Sequence, residues 1–165
     1  MSKNKVPNSP GVYTLIIRLK KAEKIRVGQL GSRFFPEGHY SYTGSAVGRK
    51  AFNLGMRVNY HLKPKNSTRW HIDYLTRSKN TEIEAVVFSE TDINRECEVS
   101  QSIGLLSEVE VIMEGFGSSD CKMKCKSHLH HFCIEASLPK IVKSVYRIYE
   151  KNGLKPYALM LKNTP

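Results

Sequence analysis

Two tyrosines, an arginine, a histidine and a carboxylate occur within the first hundred residues in an order that suits phosphodiester hydrolysis. They are Tyr13, Tyr42, Arg57, His61 and Glu96. Hydrolysis at phosphorus needs an activated nucleophile, positive charge beside the phosphate and a stabilised leaving oxygen. Arginine offers two parallel N–H donors to a phosphate, while tyrosine and histidine can move protons. The residue types therefore permit the hypothesis of a small phosphodiesterase site.

Composition favours a nucleic-acid partner. The 165 residues suffice for one domain with its own core, and 26 Lys and Arg against 15 Asp and Glu give a net charge of +11. A basic surface attracts polyanions, so DNA is the expected partner, with RNA as an alternative. No apolar run approaches the roughly 20 residues of a spanning helix, and the first residues lack a signal peptide's apolar core. We therefore expect a cytoplasmic protein with no membrane partner.

Periodicity along the chain predicts a single α+β domain. Residues 11–18 are almost all apolar and rich in β-formers, which is typical of a strand buried on both faces. Residues 24–30 alternate well enough to be its hairpin partner, and residues 39–43 form a further strand. The other predicted elements are helices over 48–62, 69–78 and 94–106, strands over 83–88, 109–113 and 129–134, and a C-terminal helix that begins at Pro139 and stops at Gly153.

The first predicted helix places a cation beside a histidine. Leu54, Arg57, Val58 and His61 follow the spacing i, i+3, i+4, i+7, so they share one stripe of the helix. Arg57 and His61 therefore project side by side. The competing interpretation is a solvated helix face, since long cations on helices usually lie in solvent.

The order of these motifs resembles the GIY-YIG nuclease family. Gly11-Val12-Tyr13 and Tyr42-Thr43-Gly44 lie on predicted strands, and Arg57-x-x-x-His61 follows on a helix. The strings at 70–75 and 115–121 look like a little-characterised archaeal and bacterial branch, which is sometimes fused to an endonuclease III-like protein. The resemblance covers roughly residues 10 to 131.

The resemblance implies a fold and an activity. The expected fold is a small central mixed or antiparallel sheet flanked by helices, with a C-terminal helix extension. The expected activity is metal-dependent cleavage of DNA, in repair or in the processing of structured DNA, with a repair protein as a further partner. We expect a flexible leader over 1–9, a nuclease domain over 10–134, and a helix and tail over 135–165 packed on the same domain.

The segment after the second tyrosine departs from the family pattern. Ser45 stands where many members carry lysine, and the stretch from Gly44 to Asn53 is longer than in most of them. Arg49 or Lys50 would supply the missing cation. We therefore predict that Gly44, Ser45, Arg49 and Lys50 contact the substrate.

The residue types divide the chemistry among the site residues. Tyr13 deprotonates the attacking water or relays its proton, which requires its pKa of about 10 to be lowered by a nearby cation or metal. Arg57 contacts the scissile phosphate, and Tyr42 donates to phosphate. His61 orients Tyr13 or passes a proton. A carboxylate holds one Mg²⁺ or Mn²⁺, hard cations that prefer oxygen ligands.

Two glutamates compete for the metal. Glu96 shares a helical stripe with Val99 and Ile103, whereas Glu98 shares one with Leu105. A metal ligand must face the cleft, so we favour Glu96 and keep Glu98 as the alternative.

A second set of candidate ligands lies near the C-terminus. Cys121, Cys125 and His128 have short spacings that thiolate and imidazole ligands of Zn²⁺ use, although a structural zinc site needs four ligands. The competing interpretation is that they pack or form hydrogen bonds around the glycine-rich loop at 115–119.

A second class of function stays open. Tyr13 and Tyr42 could be packed strand residues, in which case the chain would be a non-catalytic nucleic-acid-binding module with the same fold. A zinc-stabilised RNA-binding protein, in which the Cys/His residues matter instead of the tyrosines, is a third possibility. Such binding proteins have no need of Tyr13, Arg57 and Glu96 together.

Overall fold

The computed structural model describes residues 5–48, 53–64, 66–133 and 135–161. The strands are β1 Gly11–Leu19, β2 Glu23–Arg26, β3 Ser32–Phe35, β4 Gly38–Ser45, β5 Thr81–Glu90, β6 Val109–Glu110, β7 Leu129–Phe132 and β8 Tyr157–Met160. The α-helices are α1 Leu54–Leu62, α2 His71–Thr76, α3 Glu96–Gly104 and α4 Leu138–Lys151. Six strands form one antiparallel sheet in the order β6-β7-β4-β1-β5-β8, and β2 pairs with β3 separately. The predicted α+β class is confirmed.

The central strand β1 is the apolar run predicted from the sequence. It pairs with β4 on one edge and β5 on the other, and both of its faces are buried. Tyr13, Leu15 and Ile17 point to one core cluster, whereas Val12 and Ile16 point to a second. Side chains alternate along a strand, so a continuous apolar run has to be covered on both sides.

The predicted hairpin partner of β1 is wrong. Residues 23–26 pair with residues 32–35 in the two-stranded sheet and not with β1. Both edges of β1 already pair with longer strands, so no backbone groups of β1 remain for β2. The turn between β2 and β3 uses Gly28 and Gly31, both at positive φ, where glycine is favoured.

The four α-helices of the described residues divide between the two faces of the sheet. Helices α1 and α2 cover the face that carries Tyr13, contributing Leu54, Val58, Ile72 and Leu75. Helices α3 and α4 cover the opposite face. Amphipathic helices of this kind gain most of their stability from burying one apolar stripe against a sheet.

Several boundaries differ from prediction. Helix α1 begins at Leu54 behind the N-cap Asn53, whose side chain accepts from the N–H of Met56. Helix α2 begins at His71 rather than at 69, because the Asp73 carboxylate accepts from the N–H groups of Arg69 and Trp70. Strand β7 ends at Phe132, and residue 134 lies outside the described residues.

The two ends of the described chain both contact the sheet region. Val6 is buried in the core cluster beneath α1, and the carbonyls of Pro7 and Ser9 accept from the first N–H groups of that helix. Past Gly153, which has a φ of +74°, the chain turns back and β8 pairs with β5. This last strand was not predicted, since Tyr157-Ala-Leu-Met is too short to show a period. Among the described residues, no helix has the length and apolar composition needed to cross a bilayer.

Candidate active site

The two tyrosines enter the site from neighbouring antiparallel strands. Tyr13 on β1 lies opposite Gly44 on β4, and Leu15 lies opposite Tyr42. A Cβ at position 44 would lie 2.5 Å from the Tyr13 hydroxyl oxygen and 2.6 Å from Cζ of the ring. Gly44 is therefore required because the Tyr13 ring lies across its Cα. This contact explains why the motif Tyr42-Thr43-Gly44 ends in glycine.

The Tyr13 hydroxyl is hydrogen-bonded to a histidine. Its oxygen lies 2.8 Å from Nε2 of His61 on α1, and the side chains are 2 % and 3 % exposed. Burial raises the pKa of Tyr13 well above its ordinary value and Tyr42 raises it further, whereas the charge of Arg57 lowers it. The balance is upward, because the lowering by Arg57 is smaller than the rise that burial causes. At neutral pH Tyr13 is a protonated phenol.

Arg57 lies between an aromatic ring and the tyrosines. Its guanidinium carbon is 4.5 Å from the centroid of Trp70, and the guanidinium of Arg69 also lies over that ring, at 4.8 Å. Stacking engages the face of the planar group and not its in-plane donors. Of the two cations, Arg57 is the one whose charge acts on both Tyr13 and Tyr42.

The Trp70 platform is itself held by a small network. The Tyr60 hydroxyl donates to Asp73 at 2.9 Å, and the Tyr60 ring packs edge-on against Trp70 with centroids 4.8 Å apart. Trp70 is half-buried and packs against the core. Its contact with Arg57 could not be seen from the sequence.

The structure separates the two glutamates. Glu96 is the first residue of α3 and half-buried; its backbone N–H donates to Oδ1 of Asn94 at 3.1 Å, and hydrogen bonding from Asn94 and from the backbone of Ser45 lowers the pKa of its carboxyl group. Glu98 is exposed and accepts from Arg95 at 2.7 and 2.6 Å. Only Glu96 of the pair acts electrostatically on Tyr13 and Tyr42.

Burial has the largest effect on the pKa of Glu96, and charges of both signs act on it. Burial raises the pKa of Glu96 above its ordinary value, and nearby Asp120 raises it further. The hydrogen bonds from Asn94 and Ser45 and the charge of Arg57 act in the opposite direction without cancelling the rise. A hard cation would stabilise the ionised form of such a carboxylate.

Of the predicted substrate contacts, Gly44 and Ser45 lie in this region. Ser45 bonds Glu96 through its backbone N–H, and its hydroxyl accepts from the N–H of Val47 at 3.3 Å. Arg49 and Lys50 lie outside the described residues.

Two residues near the site were not predicted. Asp120, which is exposed in the glycine-rich loop, acts electrostatically on Tyr42 and Glu96. His71 accepts from the N–H of Gly117 at 2.9 Å and so fastens the same loop to α2. A Cβ at Gly117 would lie 3.0 Å from the Tyr42 ring, so the loop packs directly against the site. The only sequence signal for Asp120 was its place in the string from Gly115 to Cys121.

Next to Glu96 the chain gathers a group of residues that could hold a metal ion. Cys121, Cys125 and His128, the three residues predicted from spacing, are joined by Cys97 from α3. We call these four residues the Cys/His cluster. Cys97 lies 24 residues before Cys121, so no short ligand spacing connects it with the other three residues. A smaller group, Glu110, His131 and Cys133, lies on β6 and at β7.

Comparison with known proteins identifies the family but no function. A family model described as "Domain of unknown function DUF123" matches residues 12–151, which include Tyr13, Glu96 and the whole Cys/His cluster, so the chain belongs to that family. Neither a curated protein nor a solved structure matches the chain.

Proposed function

We propose that this DUF123 chain is a metal-dependent endonuclease that hydrolyses phosphodiester bonds in DNA, with a site like that of the GIY-YIG nucleases. One observation carries the proposal: the Tyr13 hydroxyl is bonded to His61 at 2.8 Å while the charges of Arg57 and Glu96 both act on it. Three elements, β1, α1 and α3, supply these groups. A strand tyrosine that only packs needs one hydrogen-bond partner and no surrounding charges.

Arg57 supplies positive charge at the phosphate. Its stacking on Trp70 fixes the plane of the guanidinium, and a fixed planar donor pair matches two phosphate oxygens. Preorganised donors of this type stabilise the charge that develops in the transition state without having to reorganise.

Tyr13 and His61 transfer the proton of the attacking water. With a raised pKa, Tyr13 does not need to exist as a phenolate. The water proton moves to the Tyr13 oxygen as the hydroxyl proton moves to Nε2 of His61, in the tautomer that leaves Nε2 unprotonated. Tyr42, whose ring centroid is 6.2 Å from that of His61, donates to a phosphate oxygen.

Glu96 would hold Mg²⁺ or Mn²⁺, and the surrounding charges fit such an ion. The negative charge of Asp120 lies close enough to raise the pKa of Glu96, so a divalent cation would relieve repulsion between the two carboxylates. When bound, the ion neutralises charge on the phosphate and stabilises the leaving oxygen. Zn²⁺ at the Cys/His cluster would be a structural ion and takes no part in this chemistry.

DNA is the proposed substrate because of charge. The net charge of +11 attracts a polyanion, and RNA is the alternative polymer. Cleavage of repair intermediates or other structured DNA, with a repair protein as partner, extends the proposal through the family resemblance.

A non-catalytic nucleic-acid-binding module is the second candidate. The burial of Tyr13 favours it, since a tyrosine 2 % exposed reaches an attacking water only if substrate binding opens the site. The two candidates differ in whether phosphodiester bonds are broken.

The test is a nicking assay on supercoiled, flapped and branched DNA with Mg²⁺ or Mn²⁺. Glu96→Gln is compared with Glu98→Gln, which has the same chemistry two residues away but alters a carboxylate paired with Arg95. We expect Glu96→Gln to lower the cleavage rate by about 10²–10³-fold and Glu98→Gln to leave it within about threefold of wild type. Binding without cleavage by wild type contradicts the proposal, and equal loss in both variants contradicts the ligand assignment.

A further inference from the structure

The Cys/His cluster joins two segments that are distant in sequence. Cys97 lies in the first turn of α3, while Cys121, Cys125 and His128 follow the glycine-rich loop. One ligand atom from each of the four residues lies within 4.8 Å of all the others. The Sγ atoms of Cys97 and Cys121 are 3.3 Å apart, and Sγ of Cys97 is 3.8 Å from Nε2 of His128.

These distances suit one tetrahedral zinc ion. With Zn–S bonds of about 2.3 Å and Zn–N bonds of about 2.0 Å, ligand atoms lie roughly 3.5–3.8 Å apart. A disulfide requires about 2.05 Å between sulfurs, so the Cys97–Cys121 separation of 3.3 Å is not that of a bridge, and two thiolates on one zinc ion would lie only a few tenths of an ångström farther apart. A structural zinc site is closed by four protein ligands, and this cluster supplies four.

Hydrogen-bond donors lie beside two of the three sulfurs of the cluster, those of Cys121 and Cys125. The backbone of Met123 and of Cys125 bonds Cys121, in a turn where Lys124 has a φ of +55°. The side-chain amide of Gln101 donates to Cys125 at 3.4 Å. Donors aimed at sulfur stabilise the charged form that binds metal.

The histidine is held as a metal ligand should be. His128 is 2 % exposed, and its ring also bonds the backbone of Gly117. Ligating histidines almost always bond a second partner through the other ring nitrogen, which fixes the ring orientation.

Basic side chains lie next to the cluster in sequence. A zinc ion with three thiolates has one net negative charge, and the exposed residues Lys122, Lys124 and Lys126 alternate along the same segment.

We infer that Cys97, Cys121, Cys125 and His128 form a closed Cys₃His zinc site that fastens the first turn of α3 to the segment from Gly115 to His128. Cys97 follows Glu96 directly, and the same segment contacts Tyr42 through Gly117. The ion therefore fixes the position of the Glu96 carboxylate relative to the tyrosines. The site itself is independent of the proposed nuclease function, whereas its effect on Glu96 rests on that function.

Metal analysis of the full chain, expressed without a histidine tag and purified in reductant, tests the site. We expect about one zinc ion per chain, and replacement by Co²⁺ should give the visible absorption bands of a tetrahedral thiolate complex. Extraction of the zinc should lower Tm by about 5–15 °C, with recovery when Zn²⁺ is restored. A chain that contains no zinc, gives no such cobalt spectrum and melts at an unchanged Tm in added Zn²⁺ overturns the inference.

Matched variants assign the ligands. Cys97→Ser and Cys125→Ser should lose most of the bound zinc, whereas Cys133→Ser, an exposed thiol outside the cluster, should retain it. Loss of zinc in Cys133→Ser with retention in Cys97→Ser would place the ion at Glu110, His131 and Cys133 and overturn the assignment. If Cys97→Ser does not fold, the cobalt spectrum of wild type, which reports the number of thiolate ligands, still decides between the two groups.

Cleavage assays on the same samples separate this inference from the proposed function. At saturating Mg²⁺, Cys97→Ser should cleave at least about tenfold more slowly than Cys133→Ser, because an unfixed α3 turn misplaces Glu96. Stoichiometric zinc without any nuclease activity would leave the zinc site standing and contradict the nuclease. Full activity in the zinc-free chain would contradict the positioning role.

Discussion

Both faces of the central sheet bury tyrosines, and Tyr13 on one face and Tyr149 on the other differ in their chemical surroundings. On the α1 side the Tyr13 hydroxyl meets His61, with Arg57, Glu96 and Tyr42 acting on it. On the α4 side the Tyr149 hydroxyl donates to the carbonyl of Val87 at 3.3 Å and is hydrogen-bonded to the Thr14 hydroxyl at 2.9 Å. Burial raises the pKa of both phenols.

The difference shows that burial alone does not mark a site. Tyr149 is satisfied by neutral partners, which is the usual state of a core tyrosine. Tyr13 instead shares its surroundings with groups that carry or exchange protons and charge, and perturbed groups of that kind cluster at functional sites. Tyr149→Phe therefore provides a control for Tyr13→Phe.

The largest expected effect is the loss of the cation beside Tyr13. Arg57→Ala should reduce the cleavage rate about 10³-fold, because no other group in the proposal supplies a planar donor pair to the phosphate. Arg69→Ala removes the other cation over the same Trp70 ring and should change the rate less than about threefold. Single-turnover rates and thermal melts of both variants give the comparison. Equal losses would mean that the Trp70 stack, and not the phosphate contact, is what matters.

Removal of the proton path should have the next largest effect. Tyr13→Phe should slow cleavage about 10²-fold, in the range of general acid–base contributions, while Tyr149→Phe should leave the rate unchanged. Rates measured at saturating DNA and Mg²⁺ compare the two. If the Tyr149 variant loses as much activity as the Tyr13 variant, burial of a hydroxyl rather than proton transfer explains the effect.

Crowding at Gly44 should have a smaller effect. Gly44→Ala places a Cβ 2.5 Å from the Tyr13 oxygen, so the ring must shift, and we expect about a tenfold loss in rate with about 1–3 kcal/mol of destabilisation. Gly104→Ala at the end of α3 meets its nearest neighbour, Nε2 of His130, at 3.1 Å and should leave the rate unchanged. Urea unfolding together with the cleavage rate separates the two outcomes. An unchanged rate in Gly44→Ala would show that the Tyr13 position is not critical.

The smallest expected effect is on stability alone. Tyr149→Phe leaves Thr14 with one partner fewer and should cost about 1 kcal/mol in the free energy of unfolding. Because the folded pKa of Tyr149 is raised, its contribution is complete below the unfolded value of about 10 and is lost as pH rises beyond it. Between pH 10 and 11 the variant should therefore lose less stability than wild type, by up to about 1.4 kcal/mol. Denaturation curves at both pH values measure this, and parallel losses would contradict burial of the phenol.

Much of the α+β architecture was visible in the sequence because its signals are local. The apolar run of β1 and the helical spacing of Leu54, Val58 and His61 are properties of a few adjacent turns or pleats, and both elements exist as predicted. The predicted hairpin between β1 and residues 24–30 is wrong, because alternation of apolar and polar residues indicates a strand but not the strand with which it pairs. Strand β8 was missed because its four residues carry no period and its pairing partner is β5, about 70 residues earlier.

The candidate site divides in the same way. Tyr13, Tyr42, Arg57 and His61 could be grouped from order and spacing, since one helix and two adjacent strands place them. Cys97 and Asp120 could not, because they reach the site from α3 and from a loop whose positions no local pattern specifies. The structure places Glu96 and not Glu98 where its charge acts on Tyr13 and Tyr42, and the pairing of Glu98 with Arg95 was not visible in the sequence.

The sequence by itself determined the apolar strand at the centre, the helix that presents Arg57 beside His61, and the basic charge that attracts a polyanion. Only the tertiary structure decided that Gly44 faces the Tyr13 ring, that burial raises the pKa of Tyr13, and that Cys97 completes a four-ligand cluster beside Glu96. The physical reason is that hydrophobic periodicity and net charge are properties of neighbouring residues or of the whole composition. Desolvation and ligand geometry depend on which distant segments pack together, and chain folding alone sets that.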